Sequence, residues 1–138
     1  MAKHILYNAV LTVNAVTFTD HARSVDLSVA TNAQMAAAMG EVQDYEMPST
    51  LVVKPIVIEM FQDYAASSIY ITHRTLWDAR STFVLTLKAD SAADSATNPN
   101  FTITVFVGDM SYVKGARGDI HVNSITYRPA GAISYDVT

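Results

Sequence analysis

Residues 82–107, TFVLTLKADSAADSATNPNFTITVFV, decide the fold class. Apolar and polar side chains alternate over 82–88 and again over 100–107, and this period of two is typical of β-strands that bury one face. The segment between them, 89–99, consists mostly of small and polar residues, which is typical of a loop. Two alternating strands joined by a polar loop indicate a β-rich domain.

Other segments with alternating or β-prone residues predict further strands. They cover residues 8–14, 23–30 and 51–62, and Pro55 inside the last one predicts an edge, a bulge or a break. Asn14–Ala15 and the Asp20–His21–Ala22 step are typical of tight turns.

The C-terminal third predicts a hairpin and an extended tail. Residues 110–113 and 119–127 are expected to pair around 114–118, and residues 130–138 to be extended. The apolar positions change phase at Asn123–Ser124, which predicts a β-bulge in the last strand.

One segment, residues 67–80, has helical periodicity. Its apolar stripe predicts packing against a sheet, and Ser67 or Ser68 is a candidate N-cap. The stripe consists of Ile69, His73, Leu76 and Trp77. With about seven or eight strands, the sequence predicts a mainly β fold, a β-sandwich or barrel with one flanking α-helix, in a single domain over residues 1–138.

Residues 31–49 break the strand pattern. Residues 31–40 are uncharged, with Met35 and Met39 four residues apart, and predict either a helical turn or an apolar loop. Residues 41–47 alternate imperfectly, and Pro48–Ser49 is expected to end them.

Composition excludes several classes of function. The chain has 138 residues, 50% of them hydrophobic and 16% charged, and a charged fraction this low indicates that part of the surface is covered by other chains. It has no cysteine, which excludes disulfides and thiolate chemistry. No signal pattern or membrane-length apolar run is present, so we expect a protein made in a cytoplasm, with no membrane partner.

The net charge of −4 argues against a nucleic-acid-binding surface. Residues 31–63 carry the excess acids with only Lys54 as a base; these acids are Glu41, Asp44, Glu46, Glu59 and Asp63. Two interpretations stay open: an ordinary solvated surface, or a surface that keeps phosphate away by like charge.

No catalytic or cofactor site is predicted. The histidines, His4, His21, His73 and His121, lack metal-ligand spacing, and His73 falls on the apolar stripe of the helix. Asp20, His21 and Ser24 lie close together, but no nucleophile-elbow glycine pattern accompanies them. We therefore expect no enzyme activity and no cofactor.

Several segments together resemble a known family. They are NAVLTVNAVTFTDHARSVDLS near the start, FQDYAASSIYITHRTLWDARSTFVLTLKADSAADSATNPNFTITVFV in the middle, and GDIHVNSITYRPAG near the end. In order and spacing they resemble the major tail tube proteins of long, non-contractile-tailed bacteriophages. Ala15 stands where that family usually has glycine, and residues 31–50 match least well.

The resemblance implies a virion protein that assembles into stacked, hexameric rings, forming a tail tube through which DNA is delivered. It implies as partners further copies of the chain, the tape-measure protein, the tail terminator, distal tail proteins, and phage DNA that passes without specific binding. It also implies assembly in the bacterial host cytoplasm, a loop or hairpin insert at about 31–49 that contacts the next ring, and a C-terminal arm at about 129–138.

Residue roles follow as hypotheses. Candidates for lumen-facing or ring-stacking charge are Glu41, Asp44, Glu46 and Glu59, and candidates for inter-ring contacts are Met35, Met39 and Met47. Related folds also serve other roles, so a tail terminator, a decoration protein or an adhesin domain is the alternative.

Overall fold

Ten strands and one helix are arranged along residues 9–137, the part of the chain that the computed structural model describes. The elements are β1 (Val10–Val13), β2 (Val16–Thr17), β3 (Ala22–Asp26), β4 (Val29–Met35), β5 (Glu46–Val53), β6 (Ile56–Phe61), α1 (Ile69–Ala79), β7 (Phe83–Lys88), β8 (Asn100–Asp109), β9 (Val122–Pro129) and β10 (Ser134–Asp136). The predicted mainly β fold with one helix is confirmed. None of the helices described is long and apolar enough to span a membrane.

Eight strands form one antiparallel sheet in the order β2-β1-β7-β8-β9-β6-β3, with β10 alongside the first part of β8. The two strands of the opening sequence, β7 and β8, pair from Phe83↔Val105 to Lys88↔Asn100. The remaining strands, β4 and β5, form a separate two-stranded sheet.

The two strands at opposite ends of the large sheet, β2 and β3, are consecutive in the chain, so the sheet must curl to bring them close together. End strands β2 and β3 are separated only by the turn over residues 18–21, where the backbone N–H of His21 donates to the carbonyl of Phe18 at 3.0 Å. The first hairpin, β1–β2, turns at Asn14 (φ 48°) and Ala15 (φ 65°), and two positive φ values define a type I′ turn. The sheet is therefore shaped like a partly closed barrel.

Alternation in the sequence explains the core. Each of the strands β6 and β7 buries every second side chain: Ile56, Ile58 and Met60 in β6, and Phe83, Leu85 and Leu87 in β7. Burying one such side chain stabilises a fold by roughly 1.5–3 kcal/mol. The faces opposite these residues point away from the core, so the sheet has an inner apolar face and an outer face.

Helix α1 packs on this core through Ile69 and His73, which are both buried. The Nδ1–H of His73 donates to the carbonyl of Ile69 at 2.7 Å, and Nε2 accepts from the hydroxyl of Tyr127 at 2.5 Å. This pairing corresponds to the neutral ring. Burial lowers the pKa of His73 to about 4, against the opposing effect of the Ile69 hydrogen bond, and burial also raises the pKa of Tyr127.

Two details of the helix differ from the prediction. Ser68 occupies the N-cap position, but its hydroxyl donates to Asp63 Oδ2 at 2.8 Å instead of capping the helix. Trp77 is 49% exposed, although the periodicity placed it on the packed stripe. Leu76 is partly buried against the core, so among the stripe residues it is Trp77 that lies at the exposed edge of the packed face.

The segment over residues 22–53 also differs from the prediction. The expected strand 23–30 is broken at Leu27–Ser28, and residues 31–35 continue β4 rather than forming a helical turn or loop. Pro48 does not end a strand but lies inside β5. A proline is tolerated there because each strand of a two-stranded sheet has one edge that needs no N–H.

In the C-terminal third, residues 110–113 form no strand, so the predicted hairpin is wrong. The chain instead connects β8 to β9 through residues 110–121. The bulge lies in β8, where the register shifts between Val107 and Asp109. At Gly108, a Cβ would lie 2.8 Å from Cγ of Arg128, so a larger residue requires the Arg128 side chain to shift.

Strand β9 has no change of phase, because a polar residue occupies a core position. Asn123, Ile125 and Tyr127 are all buried, and Oδ1 of Asn123 accepts from the backbone N–H of Ser111 at 2.9 Å. The apolar Ile120 that suggested the phase change lies in the connection and is 73% exposed. Asn8, His4 and Thr138 lie outside the described residues.

Candidate assembly surfaces

Strands β4 and β5 form a hairpin that extends the β3–β6 pair beyond the barrel. The ladder is interrupted at Leu27–Ser28 and at Lys54–Pro55, where proline removes an N–H, and a hydrogen bond from the Lys54 N–H to the Ser28 carbonyl (3.0 Å) bridges the gap. Beyond this point β4 and β5 pair only with each other, from Val29↔Val53 to Met35↔Glu46. We call residues 29–53 the extended hairpin.

The extended hairpin exposes apolar side chains over most of its length. Met39 and Val42 at the tip are fully exposed, and Leu51 is 85% exposed. The other exposed large apolar side chains on it are Val29, Met35, Tyr45 and Met47. An isolated two-stranded hairpin is at best marginally stable in water, and a contiguous exposed apolar surface marks an interaction site.

Hydrogen bonds between backbone groups and one from the backbone to the Glu41 carboxylate stabilise the turn at the hairpin tip. The N–H of Ala36 donates to the Tyr45 carbonyl at 3.0 Å, and the N–H of Ala38 donates to Oε2 of Glu41 at 2.8 Å. Gly40 has a φ of 91°, a conformation that favours glycine, and a Cβ added there would contact no other atom within 4 Å. Asp44 and Glu46 are exposed, with no ion pair among residues 9–137.

The structure divides the sequence-predicted site residues between two places. Six lie together on the extended hairpin: Met35, Met39, Glu41, Asp44, Glu46 and Met47. Glu59 lies apart from them, on the outer face of β6. A single role for all four acids therefore does not follow from the structure.

The outer face around Glu59 carries two acids and several hydroxyl groups, with the exposed Arg128 two residues beyond Thr126 in β9. Glu59 is paired between Ser24 of β3 and Ser124 of β9, while Asp26 and Thr126 flank Val57 one step along. We call these residues the acid–hydroxyl face. Asp26 was not among the predicted site residues; its position beside Glu59 depends on the β3–β6 register, which the strand pattern alone does not give.

A second apolar surface lies at one mouth of the barrel. It is a groove of about 450 Å³ between the ends of β1, β3, β7, β8 and β10. Its apolar lining includes Val10, Leu11, Val25, Leu27, Leu87, Phe101, Ile133 and Tyr135, and its charged residues are Arg23 and Lys88. We call it the mouth groove. Nothing in the sequence pattern predicted it, because its lining comes from distant strands.

The two charged residues at the mouth groove are both basic, and of the two it is Lys88 that forms an ion pair. Nζ of Lys88 lies 2.5 Å from Oδ1 of Asp94 in the 89–99 loop. Arg23 is exposed and makes no ion pair with any residue in the described part of the chain. An anionic group near the groove would therefore be attracted mainly by Arg23.

The Asp20–His21 pair braces a turn rather than forming a catalytic triad. Ring atoms Nδ1 and Nε2 of His21 lie 2.8 Å from Asp20 and 3.2 Å from Asp63. Asp63 accepts from the Ala65 N–H, which is the main cause of its lowered pKa, and from Ser68 and His21. Ser24, the serine of the sequence pattern, lies opposite Glu59 on the outer face, and the Ser68 hydroxyl contacts the Asp63 carboxylate instead of the imidazole, so neither serine is positioned for activation by His21. Among residues 9–137, no group of three metal-ligating side chains is assembled.

Known folds match this chain, although sequences do not. No family model matches it, and no curated protein does. A chain in the sheath–tube complex of a PVC extracellular contractile injection system, in the extended state, superimposes with a TM-score of 0.67 at 10% identity, over 99% of this chain and 93% of the other.

Two further solved structures share the fold. A chain of a native gene transfer agent virion gives a TM-score of 0.68 at 8% identity, over 94% of this chain and 95% of that one. A chain of the PVC sheath/tube terminator in the extended state gives 0.67 at 12% identity, over 99% and 98%. The fold is therefore that of phage-like tail tube proteins. The identities show the fold alone, so the expected non-contractile type is not established by them.

Proposed function

We propose that this protein is a tail structural protein that self-assembles into stacked hexameric rings and forms the tube through which DNA is delivered. The observation that carries the proposal is the extended hairpin, whose exposed apolar side chains pair with no strand outside the hairpin and whose contact with the barrel core is made at its base, by Val53. Such a surface becomes stable when neighbouring copies cover it. The mouth groove supplies a second apolar surface that neighbouring copies can cover.

Ring formation is supported by symmetry and by the comparisons. Contact between two different patches on identical subunits closes into a ring when the rotation closes, and further contacts stack the rings. Another structural match, at a TM-score of 0.61 and 11% identity, comes from an anti-feeding prophage baseplate that was six-fold symmetrised. The proposed partners are further copies, a tape-measure protein, a tail terminator and distal tail proteins, in a virion tail built in a host cytoplasm.

We assign different roles to the two acidic places. In this proposal the methionines and acids of the extended hairpin contact the neighbouring ring, and the acid–hydroxyl face lines the lumen. Glu59 and Asp26 supply negative charge there, and hydroxyl groups hydrate the wall without attracting phosphate. A like-charged wall keeps DNA from binding as it passes.

The test of self-assembly compares the full chain with a variant whose tip is shortened. In that variant, residues 36–45 are replaced by Asn–Gly, which joins the paired residues Met35 and Glu46 through a two-residue turn. We expect rings or tubes from the full chain in negative-stain images and sedimentation, and only monomers from the variant with an unchanged circular dichroism spectrum. A full chain that stays monomeric at all concentrations would contradict the proposal.

The lumen role is tested separately by reversing charge at Glu59. In particles carrying Glu59→Lys, we expect tubes to assemble but DNA ejection to slow, because phosphate is then attracted to the wall. The control is Asp78→Lys, which makes the same change on the exposed side of α1, away from the outer face of β6. Equal ejection rates for the two variants would refute the assignment of this face to the lumen.

A terminator or another single-ring tail protein is the second candidate, since the fold also occurs in the PVC sheath/tube terminator structure. Copy number per particle distinguishes the two candidates, because a tube subunit is present in many rings and a terminator in one. In solution, a tube subunit forms tubes that lengthen with protein concentration, whereas a terminator forms single rings that do not grow.

A further inference from the structure

The tip of the extended hairpin and the mouth groove have complementary properties. The tip presents Met39 and Val42 together with the acids Glu41, Asp44 and Glu46, and the hairpin has no Lys or Arg between Val29 and Val53. The groove presents apolar side chains with Arg23 and Lys88, and none of the described residues that line it is an acid. Because Lys88 is paired with Asp94, each copy carries an apolar, acidic projection and an apolar recess whose unpaired charge is that of Arg23.

We infer that the hairpin tip of one copy inserts into the mouth groove of a neighbouring copy. This inference rests on the proposed self-assembly and names the receiving surface for the hairpin. Met39 supplies a flexible side chain that adapts to an irregular recess, and Val42 fills the remaining apolar space. The acids of the tip then lie near Arg23, which has no other ion pair among residues 9–137.

Geometry makes the contact intermolecular. Val29, at the base of the hairpin, itself lines the mouth groove. Strand β4 has 7 residues, and at about 3.4 Å per residue it carries Met35 roughly 20 Å from the base, with the tip further still. The tip thus reaches another copy's groove but not its own.

The contact joins two different surfaces, and this sets the kind of assembly. Each copy offers one tip and one groove, so the contact repeats from copy to copy instead of ending at a dimer. In line with the role proposed for the hairpin, it connects successive rings and produces chains of three or more linked subunits.

Disulfide cross-linking tests the contact directly, because the chain contains no cysteine. We would introduce Met39→Cys at the tip and Tyr135→Cys in the groove, where Tyr135 is 64% exposed. After mild oxidation, non-reducing gels are expected to show a ladder of trimers and larger species. Each single-cysteine variant is the control and yields dimers at most.

Two cross-linking results would overturn the inference. One is an assembled Met39→Cys/Tyr135→Cys variant, verified by imaging, that yields no ladder. The other comes from a separate Leu6→Cys/Tyr135→Cys variant: an intramolecular cross-link that persists in assembled protein would mean that another segment of the same chain occupies the groove. If the unmodified chain never assembles, the proposed function fails first, and the two failures are thereby distinguished.

A charge exchange gives a second measurement that does not depend on cysteine placement. Arg23→Glu should raise the critical concentration for assembly about tenfold, equivalent to ~1.4 kcal/mol. Adding Asp44→Arg should restore most of the loss. The control, Arg117→Glu, lies in the exposed connection after β8 and should have no effect. Wild-type assembly of Arg23→Glu, or no recovery in the double variant, would contradict the docking.

Discussion

The barrel and the extended hairpin are built from the same residue types but have opposite surroundings. Leu85 in β7 is completely buried, whereas Leu51 in β5 is 85% exposed, although both are leucines in antiparallel strands. The barrel buries its apolar face within one chain, whereas β4 and β5 pair only with each other and pack on the barrel only at the base of the hairpin. The difference shows that an apolar residue in a strand predicts a buried surface, but the sequence does not tell whether the same chain or a neighbouring copy buries it.

The largest expected difference between the two regions is in the effect of shortening these leucines. In dispersed, monomeric protein, Leu85→Ala should lower the free energy of unfolding by about 2–5 kcal/mol, because it leaves a cavity in the core. Leu51→Ala should change it by less than about 0.5 kcal/mol. Urea unfolding of both variants measures the contrast, and equal losses would mean that the hairpin is packed within the monomer.

Protonation of His73 should have the next largest effect, and it acts on the barrel alone. Its pKa is about 4 in the folded state against 6.5 as the ordinary value, so the unfolded chain binds more protons between these values. The stabilisation is complete above pH 6.5 and falls by about 3 kcal/mol as the pH drops to 4. Unfolding free energies measured across this range check it.

The control for this pH dependence is His73→Gln, which keeps a polar side chain beside the Tyr127 hydroxyl but does not titrate. Asp63, whose pKa is lowered, loses its stabilising effect only as the pH falls below about its ordinary value of 3.8, so above that value it adds little to the pH dependence of stability. If the variant keeps the same slope between pH 6.5 and 4, protonation of His73 is not the cause.

The smallest expected effects are at two turns. Ala15→Gly should stabilise the barrel by up to about 1 kcal/mol, because Ala15 has a positive φ of 65° that costs an L-residue energy. Gly40→Ala strains the hairpin tip at φ 91° but should change global unfolding by less than about 0.5 kcal/mol. Thermal melts of the two variants are the measurement, and destabilisation by Ala15→Gly would contradict the turn geometry.

The sequence predicted those parts of the barrel where each strand buries one face. Alternation in β6, β7 and most of β8 located the core side chains, and the break at Pro55 follows from its missing N–H. The pattern failed where another physical demand was stronger. Asn123 takes a core position to accept the Ser111 N–H, so the phase change suggested by Ile120 was misleading.

The candidate surfaces were predictable only in part. The sequence marked residues 31–49 as a break in the strand pattern but did not predict β4 and β5 there, because residues that face no core show no clear period. The mouth groove and the pairing of Asp26 with Val57 beside Glu59 depend on strand order and register. These long-range relations cannot be read from the spacing of residues along the chain.

Hydrogen–deuterium exchange on dispersed and assembled protein tests the central claim, that neighbouring copies cover the extended hairpin. Peptides from β4 and β5 should exchange rapidly in the dispersed protein and become at least tenfold slower, an increase of ~1.4 kcal/mol in protection, in tubes. Peptides from β7 should be protected in both states. Rapid exchange of β4 and β5 within verified tubes would contradict the account.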